Sequence, residues 1–308
     1  MPMDTKIMTT LIRSILITLL AATSLAASAA TPPAATQRTF SSPDEAVKAL
    51  VEAVRAEDVT KLLAVVGPKS KEWLWSGDKV ADRADWKRFL DAYDQKKAVV
   101  AQGDGKAVLN VGNDDWPFPA PLVKRGAAWA FDAQAGREEV INRRVGRNEL
   151  STIQVLLAVV DAQREFAAGS DGVYAKSFRS SPGKKDGLYW PAAAGEKPSP
   201  LGPLAATATR EGYGGTGKPQ PYHGYYYRIL TGQGKSAAGG AYDYVVKGRM
   251  IGGFAVVAYP ASYGLSGVKT FLVNHDGVVY EKDLGPGGAE IATKMTRFEP
   301  AKGWEKLP

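Results

Sequence analysis

Apolar residues in the first part of the chain recur every three or four positions, which is the spacing of amphipathic helices. Ser42 and Pro43 predict the start of the first helix, and Glu45 completes a capping box. Asp58 and Asp82 are predicted to cap two further helices. The apolar positions that define the three helices are Ala46, Val47, Leu50, Val51, Val54, Leu62, Leu63, Val65, Val66, Trp86, Phe89, Leu90 and Tyr93.

The pattern then changes to short segments with the composition of β-strands. The predicted strands are Lys97–Gln102, Lys106–Val111, Leu122–Arg125 and Ala127–Phe131. The sequence Gly-Asp-Gly between the first two strands is typical of a hairpin turn. Helices followed by an antiparallel sheet indicate an α+β domain, which we place at residues 40–147.

A second domain is predicted over residues 148–308. It opens with a longer helix that begins at Asn148 or Ser151. An irregular region over residues 172–221, rich in Gly, Pro and Ser, follows the helix, and its role is not predicted. The strands that complete this domain are Tyr222–Thr231, Phe254–Tyr259, Lys269–Asn274 and Val278–Asp283. The fold class is therefore α+β, with a long helix packed on an antiparallel sheet in the second domain.

The N-terminus has the three parts of a cleavable signal peptide, which we place at residues 1–29. Lys6 and Arg13 supply the positive segment, and Ile15–Ala22 is the apolar run. The small residues Ala27-Ser28-Ala29 form the cleavage site.

Cleavage leaves a short flexible leader, residues 30–39, ahead of the first domain. The alternative is a membrane anchor, but a spanning helix needs about 20 apolar residues and this run is shorter. The sequence thus predicts a periplasmic protein of a Gram-negative bacterium, with no transmembrane segment after cleavage.

Charge and composition narrow the range of functions. The chain has no Cys, which removes disulfides, thiol nucleophiles and thiolate metal sites. The formal net charge is +7, yet the basic residues are scattered along the sequence. A nucleic-acid partner is not predicted, since such binding concentrates basic residues on one face. A mild attraction to anionic envelope polymers fits this charge better.

Two groups of motifs together resemble the exported bacterial family of unknown function called DUF2950, across essentially the whole mature chain. The first group is Trp116-Pro117-Phe118-Pro119-Ala120-Pro121-Leu122-Val123, Trp129-Ala130-Phe131-Asp132 and Arg143-Arg144-Val145-Gly146-Arg147-Asn148-Glu149-Leu150. The second is Pro221-Tyr222-His223-Gly224-Tyr225-Tyr226-Tyr227-Arg228, Gly253-Phe254-Ala255, Tyr259-Pro260-Ala261 and Val278-Val279-Tyr280-Glu281-Lys282-Asp283-Leu284-Gly285. This resemblance implies no particular activity.

Looser likenesses concern each domain separately. The element order of residues 40–147 resembles the cone-shaped nuclear transport factor two-like fold. The second domain is similar to the globular heads of type IV pilin-like proteins. Those proteins begin with an apolar membrane helix, whereas here another domain precedes the long helix, so fibre assembly by the usual route is not expected.

Few residues suggest catalysis. The two histidines, His223 and His275, stand outside metal-binding spacings, and neither a metal nor a cofactor is predicted. Asp114 and Asp115 lie at a strand end and are the candidate acid/base residues or cation ligands. The simpler interpretation of this pair is turn chemistry, because Asp favours such positions.

Aromatic residues near loops give the clearest indication of binding. Trp116, Trp190 and Tyr226 are the candidate ligand-binding residues, since exposed rings stack on sugars or clamp peptides. The alternative is that these rings pack in the cores.

Three functions remain open from the sequence. The first is a non-enzymatic module that binds a cell-envelope component or a partner protein. The second is a hydrolase or isomerase that uses a cavity of the first domain, with Asp114 or Asp115 as the base. The third is a scaffold or chaperone-like factor in envelope assembly. The oligomeric state is not predicted.

Overall fold

The computed structural model describes residues 36–193, 195–214 and 219–308. The predicted signal peptide, residues 1–29, and most of the predicted leader lie outside the described residues.

The chain from residue 43 to residue 95 is mainly helical. Ser42 Oγ accepts a hydrogen bond from the Glu45 amide at 3.2 Å, and Asp58 Oδ1 accepts one from the Lys61 amide at 3.0 Å. Both predicted caps are therefore confirmed. The elements are α1 (Pro43–Arg55), α2 (Val59–Val66), a 3₁₀ turn (Pro68–Ser70), α3 (Lys71–Leu74) and α4 (Lys79–Gln95). Of these, α1, α2 and α4 are the helices that the apolar spacing predicts.

The cap of α4 differs from the prediction. Asp78, not Asp82, accepts hydrogen bonds from the first amides of the helix, at Val80 and Ala81. Asp82 lies in the first turn and instead accepts hydrogen bonds from Ser76. The Ser-Gly-Asp turn ahead of the helix lets α4 begin one turn earlier than its apolar stripe.

The first sheet is antiparallel and has five strands. In the register of the sheet, Leu109 lies opposite Val99 on the neighbouring strand, and Leu122 lies opposite Phe131. The strands are β1 (Lys97–Ala101), β2 (Lys106–Val111), β3 (Trp116–Pro117), β4 (Leu122–Arg125) and β5 (Ala128–Phe131). Their order in the sheet is β1-β2-β4-β5, with β3 paired to β2.

The long helix α5 spans Ala133–Ala168, so it begins well before the predicted start at Asn148 or Ser151. Asp132 Oδ1 caps it by accepting hydrogen bonds from the amides of the second and third helical residues. The first half of α5 is polar, with no apolar stripe long enough to mark a helix in the sequence.

The second half of the chain packs α5 against a second five-stranded antiparallel sheet, of order β15-β13-β12-β11-β6. Smaller sheets pair β7 with β8 and β14, and β9 with β10. The elements are α6 (Gly202–Arg210), β6 (Tyr225–Leu230), β7 (Gly232–Gln233), β8 (Tyr242–Asp243), β9 (Val245–Val246), β10 (Arg249–Met250), β11 (Ala255–Pro260), β12 (Lys269–Asn274), β13 (Val279–Asp283), α7 (Gly288–Lys294), β14 (Arg297–Phe298) and β15 (Glu305–Lys306).

Two groups of buried apolar residues share α5. Val140 and Ile141 pack against the group formed by α1, α2 and the first sheet. Val155, Leu156 and Val159 belong to the group of the second sheet. The predicted α+β class is confirmed. None of the helices in the described part of the chain is both long enough and apolar enough to cross a membrane.

Candidate functional site

A cavity of about 570 Å³ lies between α4, α5 and the segment that follows β3. Its lining is mainly apolar and aromatic, and it also carries four arginines and three aspartates. The lining residues are Val66, Trp73, Leu74, Asp82, Asp85, Trp86, Arg88, Phe89, Asp91, Ala92, Gln95, Trp116, Phe118, Pro119, Ala120, Val140, Arg143, Arg144 and Arg147.

Helical spacing places these side chains on facing surfaces. Trp86, Phe89 and Ala92 lie three residues apart on α4, and Val140 and Arg144 lie four residues apart on α5. Each set therefore occupies one side of its helix.

The aromatic wall is a series of rings in edge-on or tilted contact, which continues into the N-terminal core. The Phe89 centroid lies 6.2 Å from that of Trp86 and 5.1 Å from that of Phe118. Phe118 continues the contact to Phe131 of β5 at 6.0 Å. Such a wall is fixed by the N-terminal core and offers ring faces and edges to an apolar ligand.

Arg144 lines the cavity although the residue is only 5% exposed. Its Nη1 donates to the Trp73 carbonyl at 3.0 Å, and its Nη2 to the Leu74 carbonyl at 3.4 Å. Burial lowers the pKa of Arg144, while the charges of Asp82 and Asp85 act in the opposite direction. Because the ordinary pKa of a guanidinium lies far above neutral, Arg144 places a positive charge on a buried side chain of the cavity lining.

Asp82 is the buried carboxyl of the cavity wall. Its oxygens accept hydrogen bonds from the Ser76 amide at 3.1 Å and from Ser76 Oγ at 2.8 Å. Burial raises the pKa of Asp82, and the hydrogen bonds from Ser76 and the charge of Arg144 oppose this shift. A raised pKa is typical of catalytic carboxyls, but here the oxygens hold the turn ahead of α4.

The more exposed lining residues form the rim of the cavity. Trp116 is 41% exposed, and the Arg143 guanidinium carbon lies 4.5 Å from its ring centroid. Arg143 also donates to the Pro117 carbonyl at 3.0 Å, which holds the guanidinium over the ring. Arg147 pairs with Asp85 at 2.8 Å. The rim thus combines one exposed ring with charged groups.

Comparison with known proteins identifies the family. The sequence model described as "Protein of unknown function (DUF2950)" matches residues 37–307.

The chain belongs to the DUF2950 family.

No curated protein and no solved structure matches this DUF2950 chain. The likenesses to the nuclear transport factor two-like fold and to pilin-like heads therefore stay predictions.

Two of the segments on which the resemblance rests, residues 143–150 and 221–228, meet at the middle of α5. Asn148 Nδ2 donates to the Ser266 carbonyl at 2.9 Å. A Cβ at Gly224 would lie 2.5 Å from the same Asn148 nitrogen, so the backbone there approaches α5 closely. Glu149, the next residue of the helix, accepts hydrogen bonds from two amides of the segment that leads into β12.

The two candidate acid/base residues of this DUF2950 chain lie in an exposed turn. Asp115 has a φ of 52°, and its Oδ2 lies 2.8 Å from Lys96 Nζ in an ion pair open to solvent. Neither Asp114 nor Asp115 lines the cavity, whereas the neighbouring Trp116 does.

The structure separates the three candidate ligand-binding residues. Only Trp116 lines the cavity. Trp190 packs against the second core, and its buried Nε1 has no hydrogen-bond partner among the described residues. Tyr226 also packs against that core, with its ring 5.8 Å from that of Tyr259.

The two histidines lie apart from the cavity lining. The His223 ring packs against Tyr222 at a centroid distance of 4.1 Å, its Nε2 lies 3.7 Å from a Glu211 oxygen, and burial lowers the pKa of His223. His275 lies against Tyr244 at 5.7 Å. Across residues 36–193, 195–214 and 219–308, no three His, Asp or Glu side chains are grouped to hold a metal ion.

Sequence reasoning missed Arg144 and Asp82 as parts of the site. The tight basic group at residues 143–147 is visible in the sequence, and Trp86 and Phe89 are predicted to share one helix side. The sequence analysis did not predict that α5 begins as early as Ala133. This early start places the basic group on a helix that faces α4 across the cavity. Asp132, a good N-cap residue, was the available signal.

Proposed function

We propose that this chain is a non-enzymatic binding module that takes a small, largely apolar component of the cell envelope into the cavity between α4 and α5. The observation that carries the proposal is the cavity itself, with its volume of about 570 Å³ and its aromatic wall. Ligand sites of proteins have this size range and this mainly apolar lining with a few polar groups.

We also propose that the module works in the periplasm. The support is the N-terminal sequence, with two basic residues, an apolar run and a small-residue cleavage site. We expect the protein recovered from the periplasm of a Gram-negative host to begin at Ala30, as measured by mass spectrometry. An intact Met1 on periplasmic or cytosolic material would contradict this proposal.

Binding is favoured over hydrolysis or isomerisation because the carboxyls near the cavity are engaged. Asp82 is held by Ser76, and Asp85 pairs with both Arg88 and Arg147. Each carboxylate thus has a structural partner rather than an open position beside a reacting group.

The cavity also favours binding over a scaffold role. A scaffold of the predicted kind recruits partners along a flat sheet edge and does not require a ligand cavity. Here five aromatic side chains of the first domain line a cavity instead: Trp73, Trp86, Phe89, Trp116 and Phe118.

The test is a titration with N-phenylnaphthylamine, a neutral apolar dye whose fluorescence rises when it leaves water. We expect saturable binding to the wild-type protein. Val140→Trp should weaken that binding at least about tenfold, because the larger ring fills cavity space beside α4.

Leu150→Trp is the matched control, since it adds the same side chain to the same helix at a position that is 67% exposed and outside the lining. Its dye affinity should equal that of the wild type. Absence of saturable binding by the wild type, or equal binding by Val140→Trp, would overturn the proposal. Circular dichroism checks that both variants are folded.

A further inference from the structure

The buried guanidinium of Arg144 lacks a direct counter-charge. Within residues 36–193, 195–214 and 219–308, no carboxylate oxygen lies within 4.0 Å of its nitrogens. Its two hydrogen bonds go to backbone carbonyls, and they use two of the five N–H donors of a guanidinium. A buried charge of this kind is costly unless an opposite charge compensates it.

The arginines at the rim differ from Arg144 in this respect. Arg147 and Arg88 both pair with Asp85, and Arg143 pairs with Glu139 at 2.6 Å. Each of these three arginines thus contacts a carboxylate directly, and each is partly exposed to solvent. The lining as a whole has four arginines against three aspartates, and Arg144 is the arginine of the lining that is buried and has no carboxylate within 4.0 Å among the described residues.

Asp82 compensates Arg144 only at a distance. Its charge favours the charged form of Arg144, yet the two side chains form no ion pair within 4.0 Å, since the Asp82 oxygens are turned to Ser76. The N–H donors that remain on Arg144 belong to a side chain that lines the cavity, and a carboxylate or phosphate can accept them in the two-bond geometry that arginine favours.

Resting on the proposed function, we infer that the ligand is an amphipathic anion. Its apolar body lies against the aromatic wall of Trp86, Phe89 and Phe118, and its carboxylate, sulfonate or phosphate group pairs with Arg144. The apolar wall supplies most of the affinity, and the buried arginine selects the charged head group over a neutral one.

Two dyes with the same ring system test the inference directly. Anilinonaphthalenesulfonate is N-phenylnaphthylamine with one added sulfonate. We expect the wild-type protein to bind the sulfonate at least about tenfold more tightly than the neutral dye. The preference should persist in high salt, because a buried pair is screened much less than the exposed rim arginines.

Variants assign the preference to Arg144. Arg144→Met should bring the two dye affinities to within about threefold of each other. Arg137→Met, an exposed arginine of the same helix outside the lining, should keep the wild-type ratio. If Arg144→Met does not fold, the comparison of dyes and salt concentrations in the wild type still decides the question.

The head group is resolved by competition with single-chain molecules of one length. Decanoate or decyl phosphate should displace the sulfonate dye at least about tenfold more effectively than decanol does. Equal displacement by all three, or equal affinity for both dyes, would overturn the inference but leave the cavity proposal standing. Binding of neither dye would instead overturn the proposed function.

Discussion

Gly136 and Gly146 both lie inside α5, but their surroundings give opposite expectations for the same substitution. A Cβ at Gly136 would lie 2.7 Å from the Cβ of Ala120, while one at Gly146 would meet nothing within 4 Å. Gly136→Ala should therefore lower the free energy of unfolding by about 1–3 kcal/mol through overpacking. Gly146→Ala should raise it by about 0.5–1 kcal/mol, because alanine favours the helix.

Urea denaturation of the two variants and the wild type measures both effects under identical conditions. The pair is a strict comparison, since the helix, the substitution and the helix propensity change are the same. A stabilising Gly136→Ala would show that α5 does not approach Ala120 as closely as the structure has it.

At the scale of elements, local sequence signals were sufficient to predict a helix or strand that carries its own caps and turns. Ser42 and Asp58 predicted α1 and α2, and the strands Lys106–Val111, Leu122–Arg125 and Lys269–Asn274 were predicted at their observed bounds. Each of these elements has a strong pattern within its own residues, so tertiary contacts did not need to be known.

Elements stabilised by distant contacts could not be predicted in the same way. The first half of α5 carries few apolar residues, and it is held by Arg144 on the carbonyls of Trp73 and Leu74 and by close packing of Gly136. Such contacts cannot be inferred from the sequence pattern of the helix alone. A cavity in the first domain was expected, but most of its lining could not be predicted, because its walls come from α4, α5 and a loop that meet only in the folded chain.

At the scale of the whole molecule, we propose that the division near residue 147 separates two cores that share one helix. The helix passes through the proposed boundary without a break, and Asn148 and Glu149 bond to the second half. Residues 35–308 form one compact unit. The two cores are therefore expected to unfold together.

Asp78 is the side chain best placed to test this coupling. Its Oδ1 caps α4, while its Oδ2 accepts hydrogen bonds from Tyr213 Oη at 2.7 Å and from the Gly224 amide at 3.1 Å. Burial, with this carboxylate, raises the pKa of Tyr213 and keeps its hydroxyl protonated as a donor. Asp78→Asn retains a capping oxygen but loses the second acceptor, so it should lower stability by about 2–4 kcal/mol.

Two further variants separate capping from coupling. Asp58→Ala removes the cap of α2 alone and should cost about 1 kcal/mol, with no effect on distant amides. Asp78→Asn should also speed hydrogen exchange at the Gly224 amide. Asp78→Ala should speed this exchange too, and it should lower the stability further because it also removes the cap of α4. If Asp78→Asn were as stable as the wild type and its Gly224 amide exchanged no faster, Asp78 would act only within α4, and the cores would be coupled through α5 itself.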